Sequence, residues 1–240
     1  MNISALPFAS LISGGGTTMQ ALGLACQDGG QLYGRAKLAL VVSNSTTAGG
    51  MAKANALGIP VELINPANFP TPEEFGAAII VACRMHGVQL ICQNGWLPLT
   101  PINVIAAYAR MIINQHPAPV PEFGGRGMYG KRPHCARLEF YRRVQRDPWT
   151  EAIAQWVAPT FDDGSVLHKI AVPILPEDDT DSLQRRVLPI EHQVQIQVLE
   201  MFCADCVREE WPPPASLVRL VERPILDECK RLARQRYPNG

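Results

Sequence analysis

The sequence lacks an excess of charge of either sign, because lysine plus arginine and aspartate plus glutamate each number 22. No overall field therefore attracts nucleic acid or a membrane surface, and an anionic ligand must be bound locally. No apolar run approaches the ~20 residues of a membrane-spanning helix, and no basic segment precedes the first apolar run. These absences predict a soluble, cytoplasmic protein that binds neither nucleic acid nor membranes.

Regular cysteine spacing is absent as well. Seven cysteines, an odd number, argue against a secreted disulfide framework and favour a reducing compartment. The close pair Cys203 and Cys206 has no second pair at zinc-like spacing, so we expect buried thiols and no metal site. At 240 residues the chain can bury the core of one large domain without disulfides.

What the sequence does contain is a regular alternation of short apolar segments with amphipathic ones. The apolar segments predict strands over 7–13, 37–43, 60–64 and 88–92, and the amphipathic ones predict helices over 46–58 and 72–86. This alternation predicts an α/β fold: a Rossmann-like, mostly parallel twisted sheet with helices on both faces. Ligands of such sheets bind beyond the carboxyl ends of the strands.

A glycine turn follows the first predicted strand. Gly14, Gly15 and Gly16 come directly before Thr17 and Thr18, which head an amphipathic segment. Free backbone amides at the start of a helix attract anions, and phosphate is the first candidate. The pattern contains neither a dinucleotide fingerprint nor a Walker lysine, so a tight turn without a ligand explains it equally well.

The segment 110–130 has the densest set of candidate ligand groups. A short apolar strand is predicted over 110–113, and Asn114, Gln115 and His116 follow it. On an extended backbone Asn114 and His116 project to the same side, while Gln115 turns away. The later glycines allow the backbone to pass close to something bulky. A single histidine after a strand is, however, more often structural than catalytic.

The second half of the chain predicts two further strands, a long helix and a helical end. Asp162 lies in the turn between the strands, where turn chemistry alone explains it. Glu191 lies on the long helix, where a surface charge is the simpler interpretation. The predicted strands cover 151–157 and 166–172, and the predicted helices cover 135–146, 181–207 and 215–236, the last interrupted at Pro224. Trp211 and the three prolines after it predict a rigid break, so we expect one domain over 1–210 and a helical extension over 211–240, packed on the same domain.

Six motifs occur in a specific order between about residues 7 and 201. They are ISGGGTTMQAL at 12–22, VVSNSTTAGGMAKANALGIP at 41–60, NGWLPLTP at 94–101, IINQHPAPVPEFGGRGMYG at 112–130, FDDGSVLHKIAVPI at 161–174 and RRVLPIEH at 185–192. In these motifs the sequence resembles the phosphoribosylglycinamide formyltransferase family. The resemblance covers most of the chain and is much more specific than any one motif.

The resemblance implies an enzyme of purine biosynthesis. Such an enzyme passes a formyl group from its co-substrate 10-formyltetrahydrofolate to the amine of glycinamide ribonucleotide through a tetrahedral oxyanion, without a metal. The implied catalytic residues are Asn114, His116 and Asp162. The implied phosphate- and ribose-binding residues are Gly14, Gly15, Gly16, Thr17, Thr18 and Glu191, and the implied folate-binding residues are Trp96, Leu97, Leu99, Val104, Val157 and Phe161.

The chain departs from the family pattern at several positions. Thr17 and Thr18 replace a serine and an asparagine in the phosphate turn, and Arg132 and Gln155 replace two common histidines. An arginine of the folate loop is replaced by Pro98 or missing. Three alternatives therefore stay open: a formyltransferase acting on another amine, a formyltetrahydrofolate hydrolase, and a non-catalytic nucleotide- or folate-binding protein. A homodimer is a further possibility for the assembled state.

Overall fold

A computed structural model describes residues 5–210 and 216–240. The strands are β1 Leu6–Ile12, β2 Ala36–Ser43, β3 Val61–Leu63, β4 Leu90–Gln93, β5 Ile112–His116, β6 Trp149–Trp156 and β7 Val166–Pro173. The helices are α1 Thr17–Ala25, α2 Gly50–Ala56, α3 Pro72–Met85, α4 Ile102–Ala107, α5 Arg132–Val144, α6 Thr180–Cys203 and α7 Arg223–Arg236. Two 3-10 turns occupy Pro66–Asn68 and Leu220–Glu222.

The strands form one seven-stranded sheet in the order β3-β2-β1-β4-β5-β6-β7. The first five pair in parallel, and β6 and β7 add an antiparallel edge. Side chains alternate along β1, so Phe8 and Ile12 pack under α1 and α6 while Ala9 and Leu11 pack under α3 and α4. The predicted α/β fold, mostly parallel with helices on both faces, is confirmed.

β5 is longer than the sequence predicts. The strand runs through Asn114, Gln115 and His116 because these residues pair with the antiparallel strand β6. Asn114 lies opposite Gln155, and His116 lies opposite Ile153. The prediction that the strand ends at residue 113 is therefore wrong, and the polar side chains belong to the sheet itself.

The helix boundaries also differ from the predictions. α4 was not predicted, because its six residues are too few to give a helical period. α2 begins at Gly50 instead of residue 46, and α6 ends at Cys203 instead of residue 207. α5 begins three residues earlier than predicted, with Pro133 in its first turn, where proline costs no hydrogen bond.

The helical end of the chain packs on α5. Leu226, Cys229 and Ala233 of α7 are buried against Ala136 and Phe140 of α5. The predicted interruption at Pro224 is wrong, because this proline lies in the first turn of α7. The predicted break at Trp211 and Pro212–Pro214, with Ala215, lies outside the described residues. The division into a domain over 1–210 and an extension over 211–240 stays a prediction.

The start of α6, the helix that carries Glu191, is fixed by a buried carboxylate. Asp178 is only 1% exposed and accepts hydrogen bonds from both Arg186 Nη atoms, at 2.6 and 2.5 Å. The Leu175 amide donates a third, at 2.8 Å. Burial alone would raise the pKa of Asp178, but these bonds outweigh it and lower the pKa from 3.8 to about 2.

We expect Asp178→Asn to lower the free energy of unfolding by about 1–3 kcal/mol at neutral pH, because Arg186 then loses its carboxylate partner. A carboxyl group whose pKa is lowered by folding stabilises the protein above its unfolded pKa of 3.8, and this stabilisation is lost as the pH falls towards about 2. The difference from wild type must therefore shrink between about pH 4 and pH 3. Denaturant titrations measure it, with Glu177→Gln, an exposed neighbour, as the control for charge loss. An undiminished difference at about pH 3 would contradict this role of Asp178.

Candidate active site

A cavity of about 510 Å³ opens beyond the carboxyl ends of β4 and β5. This volume is in the range of small-molecule sites. Its walls come from the strand ends, from the loops 95–100, 125–130 and 157–162, and from Gln184 and Glu191 of α6. The topology therefore gathers the sequence-predicted strand-end residues at one edge of the sheet, as expected for an open α/β fold.

The carboxylate of Asp162 connects three separate elements at this edge. Its Oδ1 accepts hydrogen bonds from Asn114 Nδ2 of β5 at 3.0 Å and from Gln155 Nε2 of β6 at 3.1 Å. Its Oδ2 accepts one from the Gly125 amide at 2.9 Å. His116 Nδ1 lies 3.5 Å from Oδ1. The three residues of the predicted catalytic set thus lie together, although 46 positions separate Asp162 from His116 in the sequence.

The close approach of Asp162 depends on a glycine in the facing loop. A Cβ atom on Gly124 would lie 2.5 Å from Asp162 Cβ, nearer than any side chain allows. Asp162 itself has a left-handed backbone with φ of 55°, which aspartate tolerates better than most residues. The glycines of this segment were expected to let the backbone pass close to something bulky, and the side chain of Asp162 is one such group.

His116 is 4% exposed and has an acceptor near each ring nitrogen. Its Nε2 lies 3.1 Å from the carbonyl oxygen of Phe123, which can only accept, so Nε2 carries the hydrogen. Nδ1 faces Asp162 Oδ1 at the longer distance of 3.5 Å. Among the described residues Nδ1 therefore has no hydrogen-bond partner as close as that of Nε2.

The glycine turn has the geometry of an anion cradle. Gly16 is the N-cap of α1 with φ of 61°, and no side chain among the described residues caps this helix. A Cβ on Gly16 would lie 2.7 Å from Gly50 Cα, so the turn packs directly on the start of α2. The first amides of α1 consequently remain available to an anion. Gly14 and Gly15 are exposed beside them.

Glu191 is buried, so the interpretation as a surface charge is wrong. It is 7% exposed and lines the cavity, and its Oε1 accepts a hydrogen bond from Gln115 Nε2 at 3.1 Å. Burial raises the pKa of its carboxyl group to about 8, and the bond from Gln115 opposes that rise. Gln115 Nε2 also donates to Thr18 Oγ1, at 3.2 Å. The glycine turn is not part of the cavity wall and is linked to it through Thr18 and Gln115.

Comparison with known proteins gives the family. A family model described as formyl transferase matches residues 6–199, which is most of the chain. The chain belongs to the formyl transferase family.

Several relatives carry more specific names. A chloroplastic phosphoribosylglycinamide formyltransferase of Arabidopsis thaliana is 30% identical over 205 residues, which are 83% of this chain and 66% of that protein. One from Vigna unguiculata is 31% identical, and the match covers 82% of this chain and 61% of the relative. The chain therefore matches about two thirds or less of the length of these two relatives.

Solved structures of similar proteins have the same fold as this chain. The phosphoribosylglycinamide formyltransferase of Brucella melitensis superposes with a TM-score of 0.71 at 30% identity and covers 86% of this chain and 100% of that one. The glycinamide ribonucleotide transformylase 1 of Symbiobacterium toebii gives a TM-score of 0.75 at 26% identity, with coverages of 87% and 92%. These likenesses extend beyond the sheet to nearly the whole of each neighbour.

Part of the cavity wall is apolar. Trp96 is buried and stacks on Phe75 with ring centroids 6.2 Å apart. Other predicted folate-binding residues, namely Leu97, Leu99, Val157 and Phe161, also line the cavity. Val104 does not line the cavity, because it lies in α4 and is fully buried in the same apolar cluster as Trp96. Its contribution is to support that wall from within the core.

Several polar residues line the cavity without having been assigned a function from the sequence, among them Gln115, Arg132, His134 and Gln155. His134 is 1% exposed, and burial lowers its pKa to about 3, so its ring is neutral at physiological pH. The resemblance to the family drew attention to Arg132 and Gln155 only because they replace two common histidines. The N-x-H-P pattern does not specify which residue stands at the position of Gln115. Their roles depend on contacts between distant segments, which a sequence pattern does not contain.

A second cavity, of about 570 Å³, lies on the other side of Asp162. The turn around Pro121, the start of β7 and the segment 216–230 form its walls. It shares Asp162 with the first cavity but contains neither Asn114 nor His116. The described residues contain no cluster of three metal-ligating side chains, and all seven cysteines are free. Cys203 is half-buried and Cys206 is exposed, so the prediction of buried thiols at this pair is wrong, because the pair lies where α6 ends. Across the described ranges no helix has the length and apolar character required to cross a bilayer.

Arg132 fixes the loop 125–130 to the end of the chain. Its Nη1 donates to the Gly127 carbonyl at 2.8 Å, and its Nε and Nη2 donate to the carbonyls of Tyr237 and Pro238 at 2.8 and 2.7 Å. All three nitrogens of the guanidinium group are therefore used by backbone oxygens. A lysine has one nitrogen and cannot reproduce this fork.

We expect Arg132→Lys to release the loop from residues 237–238 and to speed hydrogen exchange of the amides in 125–130 by about tenfold or more. Melting experiments should show a loss of about 1–3 kcal/mol, because carbonyl groups lose a charged donor. Arg143→Lys, on the exposed face of the same helix, serves as the matched control and should change neither quantity. Equal exchange rates in wild type and Arg132→Lys would refute the link.

Proposed function

We propose that this protein transfers the formyl group of 10-formyltetrahydrofolate to the amine of glycinamide ribonucleotide in purine biosynthesis. The observation that carries the proposal is the convergence of Asn114, His116 and Asp162 at one wall of the cavity, where Asn114 Nδ2 lies 3.0 Å and His116 Nδ1 lies 3.5 Å from Asp162 Oδ1. An apolar wall lies on one side of this group and a glycine turn with free helix amides lies on the other. The cavity and the adjoining glycine turn thus offer groups suited to the acceptor, the formyl group and the folate.

The chemistry needs hydrogen-bond donors where negative charge develops. When the amine attacks the formyl carbon, a carbon–nitrogen bond forms and the carbonyl oxygen becomes an oxyanion. Asn114 donates one amide hydrogen to Asp162 and can donate its second amide hydrogen to the oxyanion. When protonated there, His116 supplies another donor through Nδ1, which lies 3.5 Å from the Asp162 carboxylate. Collapse of the intermediate breaks the bond to the folate nitrogen and releases tetrahydrofolate.

Asp162 also assists removal of the proton that the amine must lose. Its carboxylate is only about 10% exposed and is held by donors on Asn114, Gln155 and Gly125. A fixed acceptor at this position can take the proton, directly or through water, and pass it to the departing folate nitrogen. The reaction therefore needs no metal.

The nucleotide and the folate occupy opposite sides of this group. The phosphate binds at Gly14, Gly15 and Gly16 and at the first amides and hydroxyls of α1, those of Thr17 and Thr18. Glu191 contacts the ribose hydroxyls. The pterin packs on Trp96 and the leucines beside it and reaches the backbone of 157–161. Both ligands are small molecules.

The proposed compartment is the cytoplasm. The seven free cysteines favour a reducing compartment of this kind, although two relatives are chloroplastic.

The direct test is an assay of the purified chain with 10-formyltetrahydrofolate, with and without glycinamide ribonucleotide. We expect release of tetrahydrofolate only when the nucleotide is present, with formylated nucleotide formed in equal amount. Asp162→Asn should lower kcat by about 100-fold or more, because the variant loses the acceptor and the charge beside His116. Asp163→Asn is the matched control, since this carboxylate contacts only Thr160 among the described residues.

Each other outcome identifies a different function. Formate release without the nucleotide would identify a hydrolase, and formylation of a different amine would identify another transferase. Binding of both ligands without turnover would identify a non-catalytic binding protein. Full activity of Asp162→Asn would refute the mechanism while leaving the overall reaction in place.

A further inference from the structure

Gln115 is the centre of a polar network that links five elements of the fold. Ser10 of β1 donates to Asn94 Oδ1 at 2.6 Å, and Asn94 Nδ2 donates to Gln115 Oε1 at 3.0 Å. Gln115 Nε2 then donates to Thr18 of α1 at 3.2 Å and to Glu191 of α6 at 3.1 Å. The network runs from the buried sheet to the two side chains assigned to the nucleotide.

The bonds of this network have one direction. The Ser10 hydroxyl gives its hydrogen to Asn94 Oδ1, so the amide group of Asn94 faces Gln115 as a donor. Gln115 Oε1 consequently accepts, and both hydrogens of Nε2 are used, one by Thr18 and one by Glu191. Apart from Gln115, which is half-buried, every member is at most 7% exposed. Water therefore competes weakly for these bonds.

This direction prepares two groups for a ligand. Because Thr18 Oγ1 accepts from Gln115, its own hydrogen points elsewhere and is free to be donated to an anion. Because Glu191 receives a hydrogen on one oxygen, its carboxyl group is held at the cavity wall, where its other oxygen can accept from a hydroxyl group. A change at Gln115 alters both groups without touching Asn114 or His116.

We propose that Gln115 is a positioning residue for the acceptor nucleotide, which sets the Thr18 hydroxyl for the phosphate and the Glu191 carboxyl for the ribose hydroxyls. The inference rests on the proposed function and adds to it a residue on the opposite side of β5 from the catalytic pair. It assigns Gln115 to affinity and specificity for the nucleotide and not to formyl transfer itself.

Two isosteric substitutions separate the donor role of Gln115 from its volume. Gln115→Met keeps the size and removes both donated bonds, so the Kd for glycinamide ribonucleotide should rise about tenfold. Gln115→Glu keeps the shape but has at most one hydrogen to donate and places a second carboxyl group against Glu191, so the Kd should also rise, by about tenfold. The kcat at saturating substrates and the KM for the folate should stay within about twofold of wild type in Gln115→Met.

Calorimetric titration with the nucleotide alone measures the Kd, and initial rates give kcat and both KM values. Gln197→Met and Gln197→Glu are matched controls, because Gln197 lies on α6 but bonds to His168, outside the cavity wall. Thermal melting verifies that each variant is folded.

The binding constants decide the inference. A Kd that rises in both Gln115 variants, with kcat preserved in Gln115→Met, supports it. Unchanged Kd values, or a fall in kcat without a change in Kd, would overturn it. If wild type itself fails to bind the nucleotide, the proposed function fails together with this inference, whereas wild-type binding with indifferent Gln115 variants rejects the inference alone.

Discussion

The hydrogen bonds accepted by Asp162 are the interaction on which the site depends. They join β5 through Asn114, β6 through Gln155, and the glycine loop through Gly125. The helix α5 separates β6 from the other two in sequence, so the carboxylate determines the relative position of a strand end, an antiparallel strand and a loop. An asparagine in place of Asp162 would lose the negative charge that strengthens all of these bonds.

The antiparallel edge of the sheet makes this arrangement possible. β6 runs antiparallel to β5, which places Gln155 opposite Asn114, and its end at Trp156 leads through residues 157–161 to the turn that contains Asp162. Side chains alternate along β5, so Asn114 and His116 face Asp162 while Gln115 faces α1 and α6. In the proposed function one short strand thereby serves both the formyl group and the nucleotide. This division explains why three consecutive polar residues are placed in an otherwise apolar strand.

The sequence was sufficient for the fold and for the location of the crevice. Apolar strands alternating with helices determine a parallel sheet, and strand-end residues such as the glycine turn and Asn114 must then meet at one edge. It was not sufficient for contacts that depend on tertiary packing. The helix α4 is too short to show a helical period in the sequence. Glu191 has the sequence pattern of a surface charge, and only the packing of α6 on the sheet buries it. The contacts of the glycine loop with Asp162 and with residues 237–238 join segments that are distant in sequence. The importance of Gln115 depends on Thr18 and Glu191, which lie 97 and 76 positions away.

The central claim is that amine and formyl group meet beside Asn114, His116 and Asp162. A crystal structure with glycinamide ribonucleotide and a folate analogue unable to release its formyl group tests it most directly. The account predicts the amine nitrogen about 3–3.5 Å from the formyl carbon in the first cavity, with the phosphate on the amides at the start of α1. A nucleotide bound in the second cavity, or a formyl group more than about 6 Å from His116, would contradict it.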